Sequence, residues 1–144
     1  MKFVASFLLV LASVAALAQS PASQSPADKF VGTWEAVIDD EPFLTFILSK
    51  KDDEIVGTII QDDFDLSDDG EITNVQPTHR KTKIVSTELA GKKLKIMAPK
   101  NNQGDKIRYL LDTPEDGETK VYILIGGYDA PQIPPVTVKK KAGK

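Results

Sequence analysis

The sequence predicts an all-β protein, an eight-stranded antiparallel up-and-down barrel, and two observations support this class. Short apolar runs follow one another from residue 32 onward, and turn-forming residues separate them. After residue 28, no segment of helical length places its apolar residues three and four positions apart. Eight consecutive runs at this spacing form a meander, which is the connectivity of an up-and-down barrel.

The predicted strands are taken in chain order. They cover residues 32–38, 42–49, 55–61, 81–89, 93–98, 107–112, 120–125 and 135–139. Acidic turns separate the first three strands, and a longer acidic loop, residues 62–71, precedes the fourth. Glycine, proline and Asp-Gly turns separate the later strands, and the last run predicts a short edge strand.

Alternation of side chains supports several of these strands. Leu94 and Ile96 share one face of their strand, whereas Lys93 and Lys95 share the other, so one face meets the core and the other meets water. The runs around Phe46 and Ile123 are instead apolar on both faces. We therefore expect another segment of the chain, or a partner, to cover their outer sides.

The N-terminal segment predicts export to the periplasm or the medium. Lys2 precedes an apolar run, and Ala16-Leu17-Ala18 places small residues at the cleavage positions. Residues 1–18 are predicted to be a signal peptide, too short for a good membrane-spanning helix, so the mature protein retains no integral membrane segment. Residues 19–27 are predicted to be a disordered linker, 28–140 the folded domain and 141–144 a basic tail.

Composition excludes several functional classes. The chain has no cysteine, which rules out disulfides, zinc–thiolate sites, iron–sulfur clusters and a lipidated cysteine anchor. Its formal net charge is −3, with acids concentrated in residues 39–71 and bases in residues 79–108. An exported acidic protein with few aromatic residues in its basic half is not expected to bind nucleic acid.

The start of the first strand resembles a known signature. Phe30-Val31-Gly32-Thr33-Trp34 is similar to the Gly-x-Trp motif of lipocalins and fatty-acid-binding proteins, the calycin-type barrels. The resemblance implies that Trp34 closes one end of a barrel, with Lys139 the candidate for the basic residue that lipocalins place over it. We expect a small apolar ligand to be held among Trp34, Phe46, Tyr109 and Ile123. Because the strands are short, the interior can instead be filled by its own side chains.

One acidic segment matches part of a calcium-binding loop. Its candidate ligands are Asp65, Ser67, Asp69, Glu71 and Gln76. Calcium prefers several hard oxygen ligands, and Gly70 permits the sharp turn that would bring them together. However, Gln76 stands where a bidentate carboxylate normally completes the shell, and no helices flank the loop. The alternative is an acidic hairpin connection that holds no ion.

No catalytic constellation is recognisable. His79 is the only histidine and is expected to be an exposed loop residue, and no nucleophile-elbow pattern is present. Asp62 and Asp63 lie in a stretch too rich in charge for both to be buried. The sequence therefore predicts a non-catalytic binding protein for a small apolar ligand. The alternative is an envelope-associated or protein-interaction module that uses apolar strand faces around Phe43, Ile47, Tyr122 and Leu124.

The calcium hypothesis makes a measurable prediction. Titration with millimolar calcium should release heat in calorimetry and raise the melting temperature. At ten times the dissociation constant, the ion would add about 1.4 kcal/mol to the free energy of unfolding. The Asp65→Ala variant should lose both effects. If calcium produces no heat, and Asp65→Ala melts at the wild-type temperature in calcium, the loop binds no calcium.

Overall fold

The computed structural model describes residues 24–100, 102–125 and 133–143, and its regular structure is almost entirely β. A single 3₁₀ turn, Asp28–Phe30, precedes the first strand. The strands are β1 (Gly32–Ile38), β2 (Glu41–Lys51), β3 (Glu54–Leu66), β4 (Ile72–Lys83), β5 (Ser86–Ala90), β6 (Lys93–Pro99), β7 (Lys106–Asp112), β8 (Lys120–Ile125), β9 (Val136–Thr137) and β10 (Lys139–Lys140).

The described strands form two five-stranded antiparallel sheets. The first sheet has the order β10-β1-β2-β3-β4, and the second has the order β5-β6-β7-β8-β9. The prediction of an all-β antiparallel meander is thus confirmed. The described strands close no barrel, so the single eight-stranded barrel is not confirmed. The predicted last strand is divided into β9 and β10, which pair with different sheets, and the side chain of Val138 between them is buried.

In the described part of the chain, two crossings join the sheets through main-chain hydrogen bonds. Between β4 and β5, the Ile84 N–H donates to the Gly57 carbonyl oxygen of β3 at 3.0 Å, and the Val85 N–H donates to the Met97 oxygen of β6 at 2.8 Å. Near the C-terminus, Val136 pairs with Val121 of β8, and Lys140 pairs with Trp34 of β1. Each crossing therefore connects an edge of one sheet to the other sheet.

The core lies between the inner faces of the two sheets. Strands of both sheets contribute alternate residues to it, as the periodicity of two requires. The fully buried side chains include Phe46, Leu44 and Ile59 from the first sheet and Leu94, Ile96, Leu111, Val121 and Ile123 from the second. The predicted alternation of Leu94 and Ile96 against Lys93 and Lys95 is confirmed.

The chain between residues 62 and 89 differs from its prediction. β3 continues through Leu66 and β4 begins at Ile72, so only residues 67–71 connect the two strands, and the predicted acidic loop 62–71 is wrong. Partners across the ladder stabilise acidic side chains in these strands; Arg80 Nη2, for example, donates a hydrogen bond to Asp63 Oδ1 at 2.8 Å. The predicted strand 81–89 is interrupted where Ile84 turns towards the core and the chain passes between the sheets.

The contacts of the folded domain extend past both of its predicted ends. Ala27, in the predicted linker, is buried in the core. Lys141, in the predicted tail, donates its main-chain N–H to the Thr33 oxygen at 2.8 Å and places Nζ 3.2 Å from Glu35 Oε1. The predicted signal peptide, residues 1–18, lies outside the described residues. Within those residues, the structure has no helix with the length and hydropathy needed to cross a bilayer.

Gly57 provides a test of the close packing of β3 against β2. A Cβ atom at this position would lie 2.0 Å from the Ile47 carbonyl oxygen of β2, and only a shift of backbone could relieve that clash. We expect Gly57→Ala to lower the free energy of unfolding by at least about 2 kcal/mol in urea titrations. The matched control is Gly91→Ala, where the added Cβ would meet nothing within 4 Å and the cost is that of a left-handed backbone, about 1 kcal/mol. Equal losses for the two variants would contradict this packing.

Candidate functional site

An opening between the two sheets, here called the inter-sheet cleft, is the candidate functional site. It has a volume of about 340 Å³ and lies between β3 and β4 of the first sheet and β6, β7 and β8 of the second. Its apolar wall includes Ile59, Phe64, Ile107, Tyr109 and Ile125, and its polar wall includes Gln61, Asp63, Arg80, Thr82 and Lys100. The cleft thus combines a hydrophobic surface with a small set of polar groups, as small-molecule sites commonly do.

Tyr109 is the most deeply placed polar residue of the cleft. Its hydroxyl donates a hydrogen bond to Gln61 Oε1 across the space between the sheets. Its ring packs edge-to-face on Phe46, with centroids 5.3 Å apart. Burial raises the pKa of Tyr109 well above its usual range, and the nearby positive charge of Arg80 opposes that shift only in part. The phenol is therefore held as a neutral hydrogen-bonding group.

Arg80 brings a positive charge to the same cleft. It lies opposite Gln61 in the β3–β4 ladder, and its Nη2 atom is 2.8 Å from Asp63 Oδ1. Both side chains of this ion pair are about half exposed, so it sits where solvent can screen it. Lys100 lines the cleft from the end of β6. These groups can orient the polar end of a molecule whose apolar part contacts the isoleucines.

Only one of the four predicted ligand-binding residues lines the cleft. Tyr109 lines the cleft and Phe46 supports its ring, but Phe46, Trp34 and Ile123 are core residues that are not among the cleft's lining. The Trp34 Nε1–H donates to the Phe30 oxygen at 2.9 Å. Alternation along a strand indicates which residues point inward, but it does not indicate which inward residues meet another side chain and which meet an opening.

The residue placed over Trp34 also differs from its prediction. Lys140 has its Nζ 5.5 Å from the centre of the Trp34 ring, whereas Lys139 is paired in register with Glu35. Adjacent strand residues point to opposite faces, which explains the change by one position. Gly32, with φ of +132°, permits this packing, because a Cβ there would lie 2.7 Å from Lys140 Cε.

Sequence reasoning missed Gln61 and Arg80, which supply the polar groups nearest Tyr109. One signal was available, because Gln61 follows Ile59 at the strand interval of two and so occupies an inward position with a polar side chain. Its partner across the sheets could not be read from the sequence, since Gln61 and Tyr109 are 48 residues apart.

The predicted calcium ligands lie along the β3–β4 hairpin. Asp65 Oδ2 accepts from Asn74 Nδ2 at 3.0 Å, and Ser67 Oγ accepts from the Glu71 N–H at 3.1 Å. Gln76 lies farther along β4, paired in register with Asp63. Among the described residues, no three Asp, Glu or His side chains are grouped as a metal ion would need. Calcium binding by this hairpin stays a prediction.

Asp62 and His79 form a pair that the sequence did not indicate. Residues 77–79 of β4 bulge opposite Asp62, and the His79 backbone has a left-handed φ of 48°. Its N–H donates to Asp62 Oδ1 at 2.7 Å, and its Nδ1 lies 3.0 Å from the same oxygen. The His79 side chain is exposed, as expected, but it lies in a strand. Asp62 is only 4% exposed, whereas the Asp63 side chain is about half exposed, so the two acids are not buried together, as expected.

The residues of the alternative interaction surface do not form one patch. Phe43 is buried, with its ring 6.1 Å from that of Phe64, and Ile47 is exposed on the first sheet. Tyr122 and Leu124 are partly buried on the outer face of the second sheet, where Leu124, Leu110 and Met97 line a groove of about 380 Å³.

Comparison with known proteins finds no matching family model, no matching curated protein and no matching solved structure.

The raised pKa of Tyr109 predicts a specific loss of stability in alkali. The unfolded chain releases the phenolic proton near pH 10, whereas the folded protein retains it, so stability falls as pH rises above about 10. In urea titrations between pH 8 and pH 11, the wild type should lose up to about 1.4 kcal/mol per pH unit more than Tyr109→Phe above pH 10.

At neutral pH, Tyr109→Phe should cost about 1 kcal/mol, because it removes the hydrogen bond to Gln61. The neutral-pH value serves as the control for this lost bond, since it does not depend on ionisation. Parallel stability profiles for the two proteins from pH 8 to pH 11 would show that burial does not hold Tyr109 protonated.

Proposed function

We propose that this protein is an exported, non-catalytic binding protein that holds a small, largely apolar ligand in the inter-sheet cleft. The observation that carries the proposal is the hydrogen bond between the buried Tyr109 hydroxyl and Gln61, set in a wall of isoleucine side chains. A volume of about 340 Å³ suits a small molecule. The mature chain would meet this ligand in the periplasm or the medium.

The charges of the cleft support a ligand with one polar end. Arg80 and Lys100 line the cleft together with Asp63, the one acid among its described lining residues, which is already paired with Arg80. An acceptor group on the ligand could hydrogen-bond to the Arg80 guanidinium, while its apolar part covers Ile59, Ile107 and Ile125. The resulting contacts bury apolar area at one end and keep a solvated charge at the other.

A lipocalin-like relationship is part of the proposal. It is supported by Gly32 and Trp34 at the start of β1 and by the Lys140 ammonium over the Trp34 ring. A non-catalytic role is supported by Tyr109, which burial keeps protonated, and by the position of His79, which lines other hollows than the cleft. The ligand would thus be held without a general base beside it.

The groove on the second sheet supports a second candidate, an interaction module. Its apolar floor includes Met97, Leu110 and Leu124, and Glu88, Lys95 and Arg108 also line it. A partner would bind this outer face rather than enter the space between the sheets. The two candidates use opposite faces of β8, because Ile125 lines the cleft and Leu124 lines the groove.

Substitutions at these neighbouring positions test the proposal. Ile125→Trp should fill the cleft and weaken binding of the amphipathic dye 1-anilinonaphthalene-8-sulfonate at least tenfold, or about 1.4 kcal/mol, by fluorescence titration. Leu124→Trp, the matched control on the opposite face, should leave the dye affinity unchanged. Native mass spectrometry of protein purified from its own host should show a bound small molecule in the wild type and lose it in Ile125→Trp. If only Leu124→Trp affects the dye, the outer groove is the binding surface.

A further inference from the structure

A second opening, here called the bulge hollow, shares no lining residue with the cleft. It has a volume of about 490 Å³ and is bounded by the β1–β2 connection and by β4. Asp62 and His79 line it, and they are the immediate neighbours of Gln61 and Arg80, which line the cleft. The linings of the two openings have no residue in common, so they are separate sites.

The base of the bulge hollow holds a buried carboxylate with one oxygen open. The Asp62 side chain is only 5% exposed. Its Oδ1 accepts the His79 N–H at 2.7 Å and lies 3.0 Å from His79 Nδ1. Its Oδ2 accepts no hydrogen bond from the described residues. No described side-chain oxygen or nitrogen is both sealed from solvent and without a partner, so Oδ2 is not fully sealed from solvent. A buried charge is stabilised by added hydrogen bonds, so this oxygen favours a donor from a ligand.

The charge of the hollow selects for a positive ligand. Asp39 and Glu41 line it together with Asp62, and its described lining includes no lysine or arginine. The adjoining hollow, which shares Asp62 and His79, is lined by Lys81 and so lacks this selectivity. Three carboxylates around one opening lower the energy of a cation inside it.

The walls favour an organic cation over a metal ion. Ile38, Pro42, Val75 and Pro77 supply apolar surface, which a hydrated metal ion does not use. The described acids and His79 are also not grouped closely enough to form a metal shell. A cation carried on a short aliphatic chain fits both features, because its N–H groups reach the carboxylates and its carbons cover the apolar wall.

We propose that the bulge hollow binds an alkylguanidinium or alkylammonium group, with Asp62 Oδ2 accepting its N–H at the base and Asp39 and Glu41 facing its charge from the wall. The group comes from a free small amine or from an arginine or lysine side chain of a peptide. The proposal does not depend on what the inter-sheet cleft binds, since the two sites share no lining residue.

The test uses n-butylguanidinium, with uncharged n-butylurea as the matched control ligand. His79 is the only histidine, so its imidazole C–H signals in NMR spectra report on this hollow and the adjoining one without interference from another histidine. Saturable shifts of these signals are expected with butylguanidinium, at an affinity at least tenfold higher than that of butylurea. No saturable shift, or equal affinities for the two compounds, would overturn the proposal.

Three variants separate recognition from folding. Asp62→Asn keeps an oxygen that can accept the His79 N–H but removes the charge, and it should weaken butylguanidinium binding about tenfold. Glu41→Gln, on the exposed wall, should weaken binding even if Asp62→Asn does not fold. Glu54→Gln makes the same charge change at the opposite end of the first sheet and should have no effect. If Asp62→Asn and Glu41→Gln both bind like Glu54→Gln, the carboxylates do not recognise the cation.

A peptide distinguishes the two sources of the cation. Acetyl-Gly-Arg-Gly-amide should bind more tightly than butylguanidinium if the hollow receives a side chain, because the peptide backbone adds contacts at the rim. It should bind more weakly if the hollow receives a free small cation. Failure of both compounds to bind would overturn the proposal, whatever dye binding shows for the inter-sheet cleft.

Discussion

The two main-chain crossings between the sheets are the constraint on which the core and the cleft depend. The chain has no cysteine, so covalent cross-links cannot hold the sheets together. At one crossing Ile84 bonds to Gly57, and at the other the chain pairs first with β8 and then with β1. Ile84 and Val138 also place their side chains in the core at these points. Each crossing therefore satisfies its backbone polar groups and buries apolar area at once, which a buried chain segment requires.

A difference in strand length explains why both openings lie towards one end of the first sheet. β2, β3 and β4 have 11, 13 and 12 residues, whereas the strands of the second sheet have at most seven. The cleft lies where β3 and β4 face one end of β6, β7 and β8, and the bulge hollow lies near the ends of β3 and β4 that residues 67–71 connect. The Phe43–Phe64 pair adds apolar contacts to this part of the first sheet. The openings thus follow from the hairpin that makes the first sheet longer than the second.

The sequence was sufficient where structure depends on neighbours along the chain. The predicted strands 32–38 and 120–125 coincide with β1 and β8, because apolar runs bounded by turn residues define these strands locally. It was insufficient where partners are distant. The Tyr109–Gln61 bond and the Asp63–Arg80 ion pair depend on how strands align, and a run of acids beside bases does not state which pairs will form. The same limit applies to Ile84, whose inward turn is set by the position of the second sheet.

The bulge opposite Asp62 distributes charge between the two faces of the first sheet. Three residues of β4 are set against one residue of β3. As a result, Arg80 pairs with Asp63 on the cleft side, while His79 pairs with Asp62 on the other side. In a regular ladder, each residue of β3 faces one residue of β4, and the backbone N–H groups between the strands bond to carbonyl oxygens. None of them is then available to a buried carboxylate. The bulge brings the His79 N–H and Nδ1 to Asp62 Oδ1 and leaves Oδ2 without a donor from the described residues. The bulge, which the sequence did not predict, thus creates a hydrogen-bond acceptor that a ligand can use. Local rules commonly fail where a chain has a function besides folding, and here the failure coincides with a charged opening.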